Sequence, residues 1–517
     1  MGTRQPQLLR NDGTGNFTNI TATNFPTINM SSPCAQFGDV DNDGDLDVAM
    51  SDQGKPNRLF LNDGTGLFTD VTVANLPAIN ISNAQDVSLV DIDNDFDLDL
   101  MSSAKTTGGQ KMYLNNGSGV FSDASATLGY AGSGNNYESD WADLDNDGDV
   151  DGFWISIASL NEGTSTNLLV PSTTLGFNNN TSSSNISGGN GDDDNEVSFI
   201  DADNNGRLDV IIGSLGSAEK LYVTGPGMNF TKSVGAFTTT SDPTLDGGPG
   251  DFDNDGRMDY VTAVGESGTG NKLFKNTGAV DSQAPKILRK QALFAVQTGG
   301  GPFVFRTMIQ DGSYDDGQDF INAKYDVTVE ANNGNFAAND VAMKRMGGHL
   351  FRGEIDVAAL GASVPGAIVN YTPKANDRVG NSVVSTAIKF QVAGYLRYGV
   401  GAAGNTLDMN GVGIMQVGQN ATFVTTGCLP NAAGGILWAS FRASIFNMTG
   451  FGETFLVDPV TLGSGQLGFA DGAGTMTINL AVPNNPAFAG WTFDFQSISV
   501  NSADIEFSNG IESTIAP

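Results

Sequence analysis

An all-β fold is predicted for this 517-residue chain by three observations. An aspartate-rich loop recurs five times, short runs that alternate apolar and polar residues flank each loop, and no stretch of useful length shows helical periodicity. The loops read "DVDNDGDLD" from Asp39, "DIDNDFDLD" from Asp91, "DLDNDGDVD" from Asp143, "DADNNGRLD" from Asp201 and "DFDNDGRMD" from Asp251, in steps of 52, 52, 58 and 50 residues.

Each repeat is predicted to be four short strands. A run such as "AQDVSLV" precedes a loop, and an alternating run such as "LDVII" follows it, with Leu208, Val210 and Ile212 on one face. A second motif at the same period, "LFLNDGTGLFTDV" from 59 and "MYLNNGSGVFSDA" from 112, with weaker forms ending in Phe177 and Phe230, supplies two more strands around a turn. Asn, Asp and Gly there permit the positive φ angles of a tight hairpin. Four antiparallel strands at this period describe the blades of a β-propeller over residues 1–280; a solenoid is the competing arrangement. The opening "QLLRNDGTGNFTNI" is a third and fourth strand without a first or second. Unpaired strand edges invite pairing, so Leu8 to Ile20 is expected to pair with its own ring or with another molecule.

The loops carry the chemistry. Positions one, three, five, seven and nine are Asp39, Asp41, Asp43, Asp45 and Asp47 in the first, Asp91, Asp93, Asp95, Asp97 and Asp99 in the second, and Asp143, Asp145, Asp147, Asp149 and Asp151 in the third. The fourth has Asp201, Asp203, Asn205, Arg207 and Asp209, and the fifth Asp251, Asp253, Asp255, Arg257 and Asp259. Arginine cannot be a side-chain ligand, so position seven is expected to offer its backbone carbonyl in every copy. The all-oxygen donor set suits a hard cation, and its flexibility fits Ca²⁺ better than the stricter octahedron of Mg²⁺. Zinc and copper are poor candidates where no His or Cys is near. An EF-hand needs a Glu at position twelve and flanking helices; Met50, Ser102, Trp154, Ile212 and Thr262 stand there, between strand-like runs. Position six is glycine (Gly44, Gly148, Gly206, Gly256) except for Phe96, which marks the second loop as strained and a candidate for weaker binding.

Composition agrees. The net charge is −33, and residues 1–280 hold 39 acidic and 12 basic residues, 22 of the acids inside the five loops. No basic surface exists for nucleic acid or anionic membrane, while 39% hydrophobic residues and 31 Phe argue for packed structure. No run of 18 apolar residues suggests a membrane span. Cys34 and Cys428 read as two separate thiols rather than a bridge. The first residues lack the apolar core of a signal peptide and start inside a repeat, which leaves an export signal to be removed or lost upstream.

The "FGDVDNDGDLDV" pattern, its five copies and the "LNDGTGLF" hairpin resemble the FG-GAP or VCBS repeats of integrin α-chain propellers and of secreted bacterial proteins. The resemblance covers residues 1 to 280. It implies Ca²⁺ between the first and second strand of each blade, about five sites in all, an extracellular and bacterial setting, and roles in adhesion. Such propellers usually have seven blades, which leaves ring size open here.

Beyond Pro285 the repeat stops. Runs such as "KYDVTVEA" and "VVSTAIKFQV" predict a β-sandwich over 284–393, and "VNYTPKANDRVGNS" resembles the closing strands of bacterial immunoglobulin-like domains. Residues 394–517 contain Arg397 and Arg442 as their only basic residues; "GILWASFRASIF", "GTMTINLAV" and "WTFDFQSISV" predict a second sandwich, and "IEFSNGIEST" resembles terminal modules of secreted bacterial proteins. The sole histidine, His349, has no evident catalytic partner, and neither a nucleophile-elbow nor a phosphate-loop motif occurs. The expectation is a secreted, calcium-stiffened, non-enzymatic protein of adhesion or of an extracellular assembly, bound to protein or glycan at the cell surface or to itself. The alternatives are a lectin, needing exposed Trp141, Trp154 or Tyr137, and a calcium-dependent polysaccharide-degrading enzyme, needing a cleft of shifted acids away from the loops.

Overall fold

The computed structural model describes residues 4–105, 110–128, 136–156, 166–169, 176–179, 194–226, 229–237, 243–265, 270–293, 296–297, 301–312 and 321–394, and beyond these mainly strands. Strands dominate, and among the described residues the helices are the single turns Thr21–Asn24 and Thr72–Asn75.

Five sheets carry the repeats. The first is Ala35–Gly38, Asp47–Met50, Arg58–Asn62 and Phe68–Asp70, and the second Ala84–Val90, Asp99–Ala104, Lys111–Asn115 and Phe121–Asp123, each in sequence order and antiparallel. The third runs Asn136–Ala142, Asp151–Ser156, Thr166–Leu169 and Gly176–Asn179, and the fourth Asp194–Ile200, Asp209–Ser214, Lys220–Gly225 and Asn229–Lys232. The fifth has three strands, Thr244–Gly250, Asp259–Val264 and Lys272–Phe274. Each aspartate loop joins a first strand to a second, as its position in the repeat requires. The sheets are open, and the first strand of each packs against the first strand of the next.

The loops are anchored by their even positions. Val40, Ile92 and Leu144 at position two, and Leu98, Val150 and Leu208 at position eight, are buried in the cores between sheets. Each such side chain contributes about 1.5–3 kcal/mol on burial. Where these residues are buried they hold the loop against the core; Leu46 and Phe252, at positions eight and two of the first and fifth loops, are exposed instead.

The opening hairpin pairs Leu9–Asn11 with Phe17–Asn19 as a two-stranded sheet, and all six residues are exposed. It pairs with no other strand among the described residues, so the expected pairing within its own ring is not formed. Its flanks touch the first repeat instead: Leu8, Phe25 and Ile28 pack on Phe60 and Val48, and Asn24 donates to Gly66 O at 3.0 Å.

Residues 286–392 form two sheets around a common core. One is ordered Lys286–Lys290, Phe303–Gln310, Leu350–Ile355, Lys344–Gly347; the other contains Val296–Gln297, Ile388–Val392, Ile368–Asn376, Asn322–Ala331 and Gly334–Ala342, with Ser382–Val384 on Ile368–Asn376. At its centre Phe305 meets Tyr325 edge to face and packs at a tilt on Tyr371. In the last region "GILWASFRASIF" divides between Ala433–Ala439 and Arg442–Met448, which lie in different sheets, while Thr492–Val500 pairs with Ile505–Thr514 as one long hairpin. Cys34 and Cys428 form no disulfide among the described residues.

Candidate metal centres

Every loop is built on the same hydrogen bonds. Position-one Oδ2 accepts the N–H of position six: Gly44 to Asp39 at 3.0 Å, Phe96 to Asp91 at 3.1 Å, Gly148 to Asp143 at 3.1 Å, Gly206 to Asp201 at 2.7 Å and Gly256 to Asp251 at 3.1 Å. That bond requires a left-handed residue at position six, where Gly44 has φ 100° and Gly206 φ 80°. Phe96 adopts φ 70°, so the second loop keeps the common path at the strain of a non-glycine residue. Position four is also left-handed in every copy: Asn42, Asn94, Asn146, Asn204 and Asn254 have φ 61–67°. Asparagine at that position in all five copies was the sequence signal for this second turn.

Position nine ties the loop to the sheet. Asp47 Oδ2 accepts Val40 N–H at 3.0 Å while its Oδ1 accepts Asn62 N–H, on the third strand, at 2.8 Å. Asp99 does the same with Ile92 and Asn115, and Asp209 with Ala202 and Thr224. Asp259 takes Asn276 N–H at 2.8 Å.

These bonds bring carboxylates together. Oxygens of Asp39, Asp41 and Asp43 lie within 4.8 Å of one another, as do those of Asp91, Asp93 and Asp99, of Asp143, Asp145 and Asp151, of Asp201, Asp203 and Asp209, and of Asp251, Asp253 and Asp255. Each group can hold a metal ion. Position seven does not join any of these triads. Asp45 and Asp97 turn toward the hairpin glycines Gly64 and Gly117, and Arg257 turns outward to Asp255 Oδ2 and Gly278 O. The side chains of Asp45, Asp97 and Arg257 therefore point away from their triads.

Without a cation the groups repel. Two unit charges at this separation interact by about 3 kcal/mol at an effective dielectric of about 20. Burial pushes Asp47 up to about 7, with Asp41 and Asp39 adding repulsion, and pushes Asp209 up to about 7 with Asp203 adding. Asp39, Asp143 and Asp201 rise to about 6 for the same first cause. Asp39 Oδ1 and Asp151 Oδ1 are buried without a hydrogen-bond partner. Orphaned anionic oxygens in an all-oxygen cluster are what a hard cation satisfies, and the residues present fit Ca²⁺ on that ground.

A second periodic carboxylate, not recognised in the sequence, stands five residues before each loop: Asp86, Glu138, Glu196 and Asp246, with Cys34 in the first repeat. It reaches from one repeat to the next. Asp86 Oδ2 accepts Ser139 N–H at 3.2 Å, Glu138 Oε2 accepts Val197 N–H at 3.2 Å, and Cys34 Sγ lies 3.6 Å from Val87 O. Glu196, fully buried, accepts the hydroxyls of Ser198 and of Tyr260 in the fifth sheet, and burial pushes it up to about 7. Asp246, on the last repeat, is exposed. The signal was in the spacing, a carboxylate at a fixed offset from each loop.

The lectin candidates are placed differently from expectation. Trp141 and Trp154 are 1% and 3% exposed and meet edge to face at 4.9 Å, and Tyr137 lies under Lys105 Nζ at 3.6 Å. His349 is buried, its Nε2 3.0 Å from Trp141 O.

A family model described as FG-GAP-like repeat matches residues 2–50 and 39–102. No curated protein matches the chain. Similar solved structures include a tetra-tandem repeat in the extending region of a large adhesion protein, 12% identical over 91% of this chain and 94% of that one at TM-score 0.20. Two others are a 1.5-MDa bacterial ice-binding adhesin, 10% identical over 61% and 92% at TM-score 0.14, and the alpha-2-macroglobulin of E. coli, 12% identical over 63% and 20% at TM-score 0.17. At these TM-scores they carry no argument about the arrangement of the sheets.

Proposed function

We propose that this chain is a secreted, calcium-stiffened structural or adhesion protein, in which the five repeats are blades of a β-propeller and residues 284–393 and 394–517 are β-sandwich modules that follow it. It works outside the cell, does not catalyse a reaction, and engages a protein or glycan at the cell surface or another copy of itself through open strand edges such as the exposed hairpin at Leu9–Asn19. The observation that carries the reading is the fivefold recurrence of three carboxylates within 4.8 Å on loops that join first strand to second. Because ligands gather only in the folded loop, ion binding adds to folding stability, and extracellular sites of about 10⁻⁴ to 10⁻³ M suit surroundings rich in calcium. Trp141 and Trp154 are buried, so neither offers the exposed aromatic face that the lectin alternative asks for.

The test is thermal unfolding of the full chain with millimolar calcium and with EDTA. A melting temperature lowered by chelation and restored by calcium is expected; an identical melt in both would defeat the proposal.

A further inference from the structure

The loops do more than face solvent. Described residues between 286 and 379 lie across them, and the contact falls on the first residue of three of the five loops. Asp39 N–H donates to Met346 O at 2.7 Å and Asp201 N–H to Gly312 O at 2.7 Å. Asp143 N–H donates to Gln310 Oε1 at 2.8 Å, and Gln310 Nε2 returns a bond to Asp143 O at 2.9 Å. Apolar packing continues the contact: Met308, Met346 and Leu350 share one core with Val40, Leu98 and Val150 of the repeats.

Cations complete it. Arg352 Nη1 lies 3.7 Å from Asp39 Oδ2, Arg289 Nη2 3.4 Å from Asp91 Oδ2, and Arg378 Nη1 3.7 Å from Asp251 Oδ2. Lys286 spans two further loops, donating to Asn146 Oδ1 and to Gly206 O. Each of the five loops therefore meets a basic side chain from this one segment.

The guanidinium and the ion need not compete for an atom. In the first loop, Oδ2 of Asp39 accepts the position-six N–H and faces Arg352, while Oδ1 is buried with no hydrogen-bond partner. One residue thus keeps one buried oxygen open to an ion, presents the other to the seated segment's arginine, and gives its backbone N–H to the seated segment's main chain. Repulsion that opened a loop would move all three together.

We infer that filling the five loops with calcium and seating residues 286–392 on them are a single linked equilibrium, so that calcium locks the joint between the repeats and the module that follows. The inference rests on the proposed calcium reading of the loops. Linkage makes it reciprocal: a segment that seats better on filled loops raises the calcium affinity of those loops by the same factor. The arginines are positioning residues here, acting on the ion through the carboxylate they share.

The experiment uses the full chain and calcium alone. Trypsin sites at Lys286, Arg289 and Lys290 lie half-buried in the seated form, so chelation is expected to expose them to cleavage and to enlarge the radius of gyration in solution scattering. Two variants, Arg352→Gln and Arg378→Gln, combined and kept in saturating calcium, are expected to speed the same cleavage and to weaken calcium binding about tenfold, within the usual range of coupling. A melting temperature indifferent to chelation would defeat the calcium reading itself. If chelation lowered the melting temperature of the repeats yet left trypsin cleavage and scattering unchanged, the linkage alone would be overturned; calcium affinity unchanged or raised in the variant would overturn it too, the latter by revealing plain charge competition.

Discussion

Raising the pH of the calcium-free protein should destabilise it, contrary to the usual behaviour of carboxylates. Asp47 and Asp209 are fully buried, and burial holds both up to about 7 from an ordinary 3.8. A group whose folded pKa is raised stabilises the protein by holding a proton; that contribution is complete below the unfolded value near 4 and is lost as pH rises through about 7. At about 1.4 kcal/mol per unit, a rise of this size is on the order of 4 kcal/mol for one loop, less where neighbouring acids share a proton. A domain of this size changes its melting temperature by about 2–4 °C per kcal/mol, so several degrees should be lost between pH 5 and pH 8 in EDTA. With saturating calcium the trend should reverse, because protons then compete with the ion for the same oxygens. Scanning calorimetry across pH with and without chelator reads both arms. A chelated protein whose stability rose with pH over that window would refute the account of the loops as mutually repelling, buried acids.

Three further outcomes follow from named contacts. Gly148→Ala should destabilise by about 1–2 kcal/mol in denaturant titration, because φ is 100° while the nearest atom to a new methyl is Leu288 O at 3.8 Å, leaving backbone strain as the only cost. Asp86→Ala should cost about 1–3 kcal/mol with or without calcium, since the buried Ser139 N–H loses its acceptor; calcium-dependent damage would place Asp86 in the metal sites instead. Asp209→Ala should cost more in calcium than in EDTA, because it removes a candidate ligand together with the acceptor of Ala202 and Thr224 N–H.

What was legible in the sequence was whatever repeats. The loop period fixed five strand–loop–strand units, and "AQDVSLV" is the second unit's first strand residue for residue, because alternation and turn chemistry are local. Arginine at position seven set that position apart from the carboxylates, and Arg257 and Asp97 lie outside their triads, but so do Asp95 and Asp147 at position five and Asp47 and Asp259 at position nine, which the sequence had grouped with the rest. The carboxylates five residues ahead of each loop are equally periodic, but no local rule gives their role, because their partners Ser139 and Val197 lie in the neighbouring repeat. The seating of residues 286–379 on the loop face was not legible, since Arg352 and Asp39 are more than 300 positions apart and no local rule relates them. The concentration of basic residues between 286 and 389, in a chain of net charge −33, was its faint trace.

The most direct test of the central claim is a calorimetric titration of chelator-stripped full chain with calcium, paired with a melt at each end point. The account predicts saturable binding of one ion per loop, with heat absorbed or released in step with a rising melting temperature. Intact, cooperatively melting protein that takes up no calcium would contradict it.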